Sequence, residues 1–230
     1  MAEFDQYAAQ YETLHEQNLG LLGEDTRYFD EQKMRELKAY LVEKERPLDP
    51  IVLDFGCGIG KTAQHLAHHM PQSKYYGIDM STESIDVARI RNPKSVFQAF
   101  DGLTIPARDE SFDIVFLSGV VHHIPPPTRG AVFAEIRRVL KPGGFIFAVE
   151  HNPLNPLTRY LVATCELDCD AHLIGRGPLI KGLIRAGFQT PHWRYVIFFP
   201  KRLRALLGEK LERRLWWLPL GGQYWVAGHR

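Results

Sequence analysis

Cysteine is scarce in this chain, with three in 230 residues, at positions 57, 165 and 169. Cysteines so few and so unevenly placed cannot build a disulfide framework, and they fit a reducing compartment. No apolar run approaches the ~20 residues that cross a bilayer. The opening residues, Met1-Ala-Glu-Phe-Asp-Gln6, lack a basic segment followed by an apolar one, so no secretory leader is expected and the expected location is the cytoplasm. An excess of either charge is missing too. Lys+Arg number 28 against Asp+Glu 27, a formal net charge of +1. That balance counts against a protein held to nucleic acid by its overall field, although it leaves room for a local patch. Internal repeats and low-complexity tracts are absent. What remains is a chain 45% hydrophobic and 24% charged, able to bury a proper core. Its length suits one large domain, or one domain with an insertion.

The segment before Pro47 is polar and helix-prone. Tyr7, Tyr11 and Leu14, and then Met34, Leu37 and Leu41, recur at helical spacing. Ile51 to Phe55 is a short apolar run ending in a glycine cluster, which predicts a buried strand. Ala63, Leu66, Ala67 and Met70 then form one helix face, closed by Pro71. The alternation repeats. Strands are expected at Lys74–Ile78, Ser95–Phe100, Phe112–Leu117 and Phe145–Val149. Helices are expected from Ser81 as cap to about Ile90, and over Val132, Ile136, Val139 and Leu140. Lys141-Pro-Gly-Gly144 reads as a turn. Residues 151–175 show no clear period and read as a loop. A short helix around Ile180, Leu183 and Ile184 ends at Gly187; a strand at Tyr195–Phe199, a basic helix at 201–217 and a strand at Gln223–Ala227 complete the chain. Strands and helices alternating at this spacing imply a parallel sheet with helices on both faces, whose ligands bind beyond the carboxyl ends of the strands.

The glycine loop Asp54-Phe-Gly-Cys-Gly-Ile-Gly60-Lys-Thr62 resists the two familiar phosphate readings. A P-loop ending in Gly60-Lys61-Thr62 would need glycine at 55, which is Phe; a dinucleotide fingerprint from Gly56 and Gly58 would need it at 61, which is Lys. An acid two residues before the first glycine would repel a diphosphate but welcome an ammonium. Asp79 ends the second strand and can accept from both hydroxyls of a ribose; Asp101 ends the third and can accept from an exocyclic amine. Ammonium, ribose diol and adenine together describe S-adenosylmethionine.

Five segments in order carry a resemblance: Val52 to Gly60, Tyr76 to Ser81, Ser111 to Val115, Val121-His-His-Ile-Pro125 and Val139 to Phe145. They resemble the successive motifs of class I S-adenosylmethionine-dependent methyltransferases, in the bacterial small-molecule branch that includes enzymes of quinone biosynthesis and, more loosely, of polysaccharide pathways. The resemblance implies a Rossmann-like α/β fold with a seven-stranded sheet in the order 3-2-1-4-5-7-6, the last strand antiparallel. It implies S-adenosylmethionine as cofactor and S-adenosylhomocysteine as product. Gly56, Gly58 and Gly60 would pass under the methionine part, with Asp54 and Cys57 beside them; Asp79, Met80, Asp101, Gly102 and Ser118 would complete the site. An aromatic residue on an N-terminal helix would cover the cofactor, and Tyr7 and Tyr11 are the candidates, with ordinary helix packing as the alternative. Residues 1–46 are then expected as a helical cap and 47–230 as the methyltransferase domain, with 151–176 and 201–217 on the acceptor side.

Methyl transfer needs alignment of nucleophile, methyl and sulfur, and a base only when the nucleophile arrives protonated. His122, His123 and His151 follow the fourth and fifth strands, where an imidazole can serve as that base or shape the cofactor pocket. Cys165-x3-Cys169-x2-His172 has zinc-like spacing, but a fourth ligand could only be guessed at His151, and a polar turn explains it as well; no metal is expected. His65, His68 and His69 read as a solvated helix face, and the motif of DNA amino-methyltransferases is absent after the fourth strand. Lys201 to Arg214 carries six basic and two acidic residues, with Leu203, Leu206, Leu207, Leu211 and Leu215 on one face and Trp216-Trp217 following. Such a helix packs on a sheet or lies at a membrane surface. The expectation is a methyltransferase acting on an O or N atom of a small molecule, sugar or glycolipid, without nucleic acid, as monomer or homodimer, with peripheral membrane contact through 201–217. The rival readings are a nicotinamide-dependent oxidoreductase and a cofactor-binding but inactive partner subunit.

Overall fold

A computed structural model describes residues 26–165, 171–199, 203, 206 and 209–230. Seven strands form one sheet: β1 Ile51–Phe55, β2 Lys74–Asp79, β3 Val96–Ala99, β4 Phe112–Ser118, β5 Leu140–His151, β6 Gln189–Val196 and β7 Gln223–His229. Seven described helices flank it: α1 Thr26–Glu43, α2 Lys61–His69, α3 Thr82–Arg91, α4 Arg129–Val139, α5 Pro156–Thr164, α6 Arg176–Arg185 and α7 Glu209–Arg214. The strand order is β3-β2-β1-β4-β5-β7-β6, parallel except for β7, which runs antiparallel to both neighbours. The order and the reversed last strand are those expected.

Alternation along the central strands builds a core on each face. Leu53, Val115, Leu117, Ile146, Ala148 and Val226 face α4 and α6; Val52, Ile114, Phe116, Phe145, Phe147 and Trp225 face α1, α2 and α3. The expected faces of α1 and α4 are therefore buried, with Met34, Leu37 and Leu41 at 1%, 0% and 1% exposure. Tyr40 is the centre of the second core. Its ring lies edge-on to Phe145 and Trp225, with centroids 5.3 and 5.4 Å away, and its hydroxyl is 2.7 Å from His229 Nε2. Trp225 donates from Nε1 to Glu36 Oε2 at 3.1 Å, so α1 is also fastened to β7 by a polar contact.

Several boundaries differ from expectation, each for a local reason. β5 starts at Leu140, and the expected turn is a bulge inside it: the register passes from Phe112↔Leu140 to Ile114↔Phe145 around Gly143 at φ 75°. β6 lies upstream of the expected 195–199. It is the edge strand, half-exposed and polar, and its Pro191 sits where the register shifts between Gln189 and His192, a place where a ladder tolerates proline. The loop 151–175 contains α5, opened by Asn155, whose side chain accepts from the Thr158 amide, and by Pro156 in the first turn. The basic helix ends at Arg214 and not at 217: Leu215 donates back to Glu212 O, and the Trp216 carbonyl accepts from Tyr195 N of the edge strand. Tyr7 and Tyr11, and with them most of the expected cap, lie outside the described residues.

Tyr40→Ala should lower the unfolding free energy in urea by about 3–5 kcal/mol, the range for large aromatic truncations in a core. Tyr40→Phe, which loses the His229 partner alone, should cost about 1 kcal/mol.

Candidate active site

At the carboxyl ends of β1, β4 and β5 lies a cleft lined by the glycine loop, by three histidines and by parts of α1 and α5. Its floor is the loop from β1 to α2. Gly56, Gly58 and Gly60 all adopt positive φ, at 76°, 49° and 76°. A Cβ on Gly56 would meet Val120 Cγ2 at 2.6 Å, and one on Gly60 would meet Asn92 Nδ2 at 2.7 Å. Those two glycines are demanded by the protein's own packing. Gly58 differs, for a Cβ there would meet nothing within 4 Å, and its bare backbone faces the cleft. Its amide donates to Asp79 Oδ2 at 2.8 Å, while Asp79 Oδ1 accepts from Ser81 N at 2.9 Å. Asp79 thus braces the loop from the next strand. The Cys57 side chain is buried beneath the loop, in the space that glycine at 77 leaves open: a Cβ there would come within 2.8 Å of Cys57 Sγ.

Asp54 is 1% exposed and accepts from the Tyr75 hydroxyl at 2.6 Å. Burial pushes its carboxyl up to about 7, against the opposing hydrogen bonds from Tyr75 and Thr62. An acid so poised at the cleft floor gains by pairing with a cation, which fits the ammonium of an amino-acid moiety. Lys33, held by Asp30 at 3.1 Å, and Phe29 bring α1 over the same loop, in the covering position where the sequence pointed to Tyr7 and Tyr11. Gly60, Asp79, Met80, Asp101 and Gly102 lie outside the cleft lining. Asp101 is exposed; its Oδ1 accepts from the Leu103 and Thr104 amides at 2.8 and 2.6 Å, and those bonds hold its carboxyl below the usual range. The Met80 side chain lies over Gly102, where a Cβ would meet its sulfur at 2.6 Å.

The opposite wall is built on Glu150, which stands at the strand end where ligands are expected but to which the sequence assigns no role. It is 1% exposed at the end of β5. Its Oε1 accepts from Val120 N at 3.1 Å and Val121 N at 2.7 Å, and its Oε2 is 2.6 Å from His122 Nδ1. Burial opposes its ionisation, but the charge and hydrogen bond of His122 and the Val121 amide together hold it below the ordinary carboxyl value. Glu150 therefore accepts, and His122 donates from Nδ1. The visible signal was an acid closing an otherwise apolar run, Phe145-Ile-Phe-Ala-Val-Glu150. The His122 ring lies 4.2 Å from that of His123 and 5.4 Å from that of His151, so the three expected histidines do meet. Their exposure separates them: His122 is 1% exposed, whereas His123 and His151 are half-buried in the cleft wall. Ser118 and Gly119 line the gap between the histidines and the glycine loop.

The third wall is the inner side of α5, with Leu161, Val162 and Cys165, beside Ile197 and Gln223. Asn152, 1% exposed, donates from Nδ2 to Pro219 O at 3.1 Å and Gly221 O at 2.7 Å, and Asn155 donates to Leu220 O at 2.7 Å. Both asparagines thus lash α5 to the turn before β7. Cys169 lies outside the described residues, and among the described residues no group of three or more His, Cys, Asp or Glu could hold a metal.

Residues 52–144 match the family model of a methyltransferase domain. Demethylmenaquinone methyltransferase of Chlorobaculum parvum is 33% identical over 161 residues, 69% of this chain and 62% of that protein. Residues 52–144 thus carry the pattern of a methyltransferase domain, and the fold is that of class I S-adenosylmethionine-dependent methyltransferases. Ubiquinone biosynthesis O-methyltransferase of Burkholderia orbicola is 32% identical over 130 residues, 54% of this chain and 53% of that one. A methyltransferase structure from Thermotoga maritima matches with a TM-score of 0.68 at 18% identity, covering 98% of this chain and 97% of that one, which shows the fold. The chain spans less than two thirds of the length of the curated relatives it matches. None of these relatives favours the nicotinamide or inactive-subunit reading.

The two buried acids should give opposite pH dependences of stability. Glu150 stabilises the fold above the ordinary carboxyl value of 4.5, and that contribution disappears as pH falls below it; Glu150→Gln should flatten the acid limb of a urea-midpoint series. Asp54 keeps its proton to about pH 7 when folded but releases it near 3.8 when unfolded, so its contribution is full below 3.8 and declines up to about 7; Asp54→Asn should remove that decline.

Proposed function

We propose that this chain transfers a methyl group from S-adenosylmethionine to an oxygen or nitrogen of a small molecule, sugar or glycolipid acceptor. The carrying observation is that the cationic-ligand floor at Asp54 and Gly58 and the histidine wall at 122, 123 and 151 share one cleft. When bound, S-adenosylmethionine supplies an electrophilic methyl on a sulfonium sulfur.

The chain's own residues then have separable tasks. Asp54, its carboxyl poised near neutrality, takes the ammonium and is ionised by that pairing. Gly58, held in place by Gly56 and the Cys57 main chain, lets the methionine part approach without a Cβ in the way. Asp79, already ordered by Gly58 and Ser81, offers its remaining lone pairs to a ribose. Met80 and Gly102 form an apolar lip beside Asp101, suited to an adenine. Ser118 faces the gap where donor and acceptor meet.

His122 is a positioning residue: buried and tied to Glu150, it fixes the turn that carries its neighbour. His123 and His151 are the imidazoles an acceptor can reach, and each can take a proton from an acceptor hydroxyl or ammonium on a ring nitrogen. Leu161 and Val162 of α5 exclude water and shape the acceptor side. The relatives' names, a demethylmenaquinone and a ubiquinone-pathway methyltransferase, support a small-molecule acceptor.

Calorimetry should show S-adenosylhomocysteine binding and none for NAD; the reverse would sink the reading. With an accepted substrate found by screening, His123→Ala or His151→Ala should lower kcat about 10²–10⁴-fold while S-adenosylhomocysteine still binds. Near-normal turnover in both variants would remove the base assignment.

A further inference from the structure

The α5 helix has two faces. The inner one, with Thr158, Leu161 and Val162, walls the cleft; the outer one leaves Leu157 and Tyr160 exposed at 48% and 58%, with Leu154 just before it at 62%. The turn lashed to this helix by Asn155 exposes Leu220 at 56% and, three residues earlier, Trp217 at 57%. Large apolar side chains gathered on two hydrogen-bonded segments make a patch, whereas isolated ones on a surface need no explanation.

Charge distinguishes among the surfaces that could cover it. Residues 152–165 contain one ionisable side chain that is charged at neutral pH, the exposed Arg159, and no acid. Arg213 and Arg214 are exposed just before the tryptophans, and no acid occurs from 213 to 222. The nearest acid, Glu212, is 7% exposed and turned inward, where its Oε1 accepts from Phe198 N at 2.7 Å. Glu166, Asp168 and Asp170 follow α5 outside the described residues; among the described residues the exposed charges beside this patch, Arg159 and Arg214, are cationic, and its centre is aliphatic with a tyrosine and a tryptophan. Aliphatic side chains enter the acyl boundary, Trp and Tyr suit the headgroup level, and arginines pair with lipid phosphates.

We infer that the outer face of α5 and the turn 217–220 dock this protein on an anionic phospholipid surface. The surface is distinct from a basic helix over 201–217 acting alone, because half of it comes from the segment after β5. Docking would set the acceptor wall of the cleft beside the bilayer. It does not depend on the methyltransferase reading, since membrane binding is measured without turnover.

The test is sedimentation of the full chain with vesicles of phosphatidylglycerol and phosphatidylcholine, against phosphatidylcholine alone. Binding is expected on the anionic vesicles, weakened at 0.5 M salt and at least about tenfold weaker for the double variant Leu157→Asp, Leu220→Asp. Both positions are exposed, so circular dichroism and S-adenosylhomocysteine binding should stay unchanged. Brominated lipid should quench tryptophan emission less in Trp217→Phe. Absence of binding to anionic vesicles at low salt, or undiminished binding by the double variant, would overturn the inference. So would a dimer in light scattering that Leu220→Asp dissolves while vesicles are ignored.

Discussion

The arrangement of the site depends on one buried carboxylate. Glu150 ends β5 with its two oxygens committed to three donors, two backbone amides of the turn after β4 and the Nδ1 of His122. A buried charge is tolerated only when its lone pairs are so occupied. The consequence is geometric. The turn carrying His122 and His123 is drawn against the end of the neighbouring strand, where His151 follows Glu150 directly. Three imidazoles converge because one acid needs partners. His172 N also donates to His122 O at 2.8 Å, so the chain beyond α5 closes on the same point.

Asp54 stands in the opposite situation at the other side of the cleft. It has fewer hydrogen bonds for its burial, and its carboxyl is accordingly pushed up to about 7. A site built from one satisfied acid and one under-satisfied acid is polarised. The satisfied one organises protein and the other is left to organise ligand. This distinction explains why Glu150 contributes to the scaffold whereas Asp54 behaves as a receptor.

The sequence carried the central sheet well. Strands β1, β2, β4 and β5 are apolar on both faces, so short hydrophobic runs between glycine and proline marks locate them, and period-2 alternation then assigns each side chain to a core. The glycine loop was legible because failed matches at residues 55 and 61 were as informative as the matches. What the pattern missed lies where tertiary contact overrides periodicity. β6 is an edge strand whose polar, proline-containing sequence acquires its pairing from β7. α5 is only nine residues long, so Leu157, Tyr160 and Leu161 give a single helical repeat, and its Asn155-Pro156 start was the clue. Asn152 and Asn155 are structural ties whose partners are more than 60 residues away in sequence. The sequence puts Glu150 at a strand end but not its role, which depends on where its three donors fall in space.

The reversed strand has a kinetic side. β7 is the last strand in the chain, yet it occupies the slot between β5 and β6. Until residues 223–229 emerge from the ribosome, β5 shows a bare apolar edge and β6 has no strand to pair with. During synthesis, therefore, the glycine-loop half can consolidate early, while the acceptor half stays an open template for stray strands. Vulnerability to aggregation should be concentrated in that short interval. Trp225, stacked on Phe147 at 5.0 Å and bonded to Glu36, is the side chain whose insertion ends it.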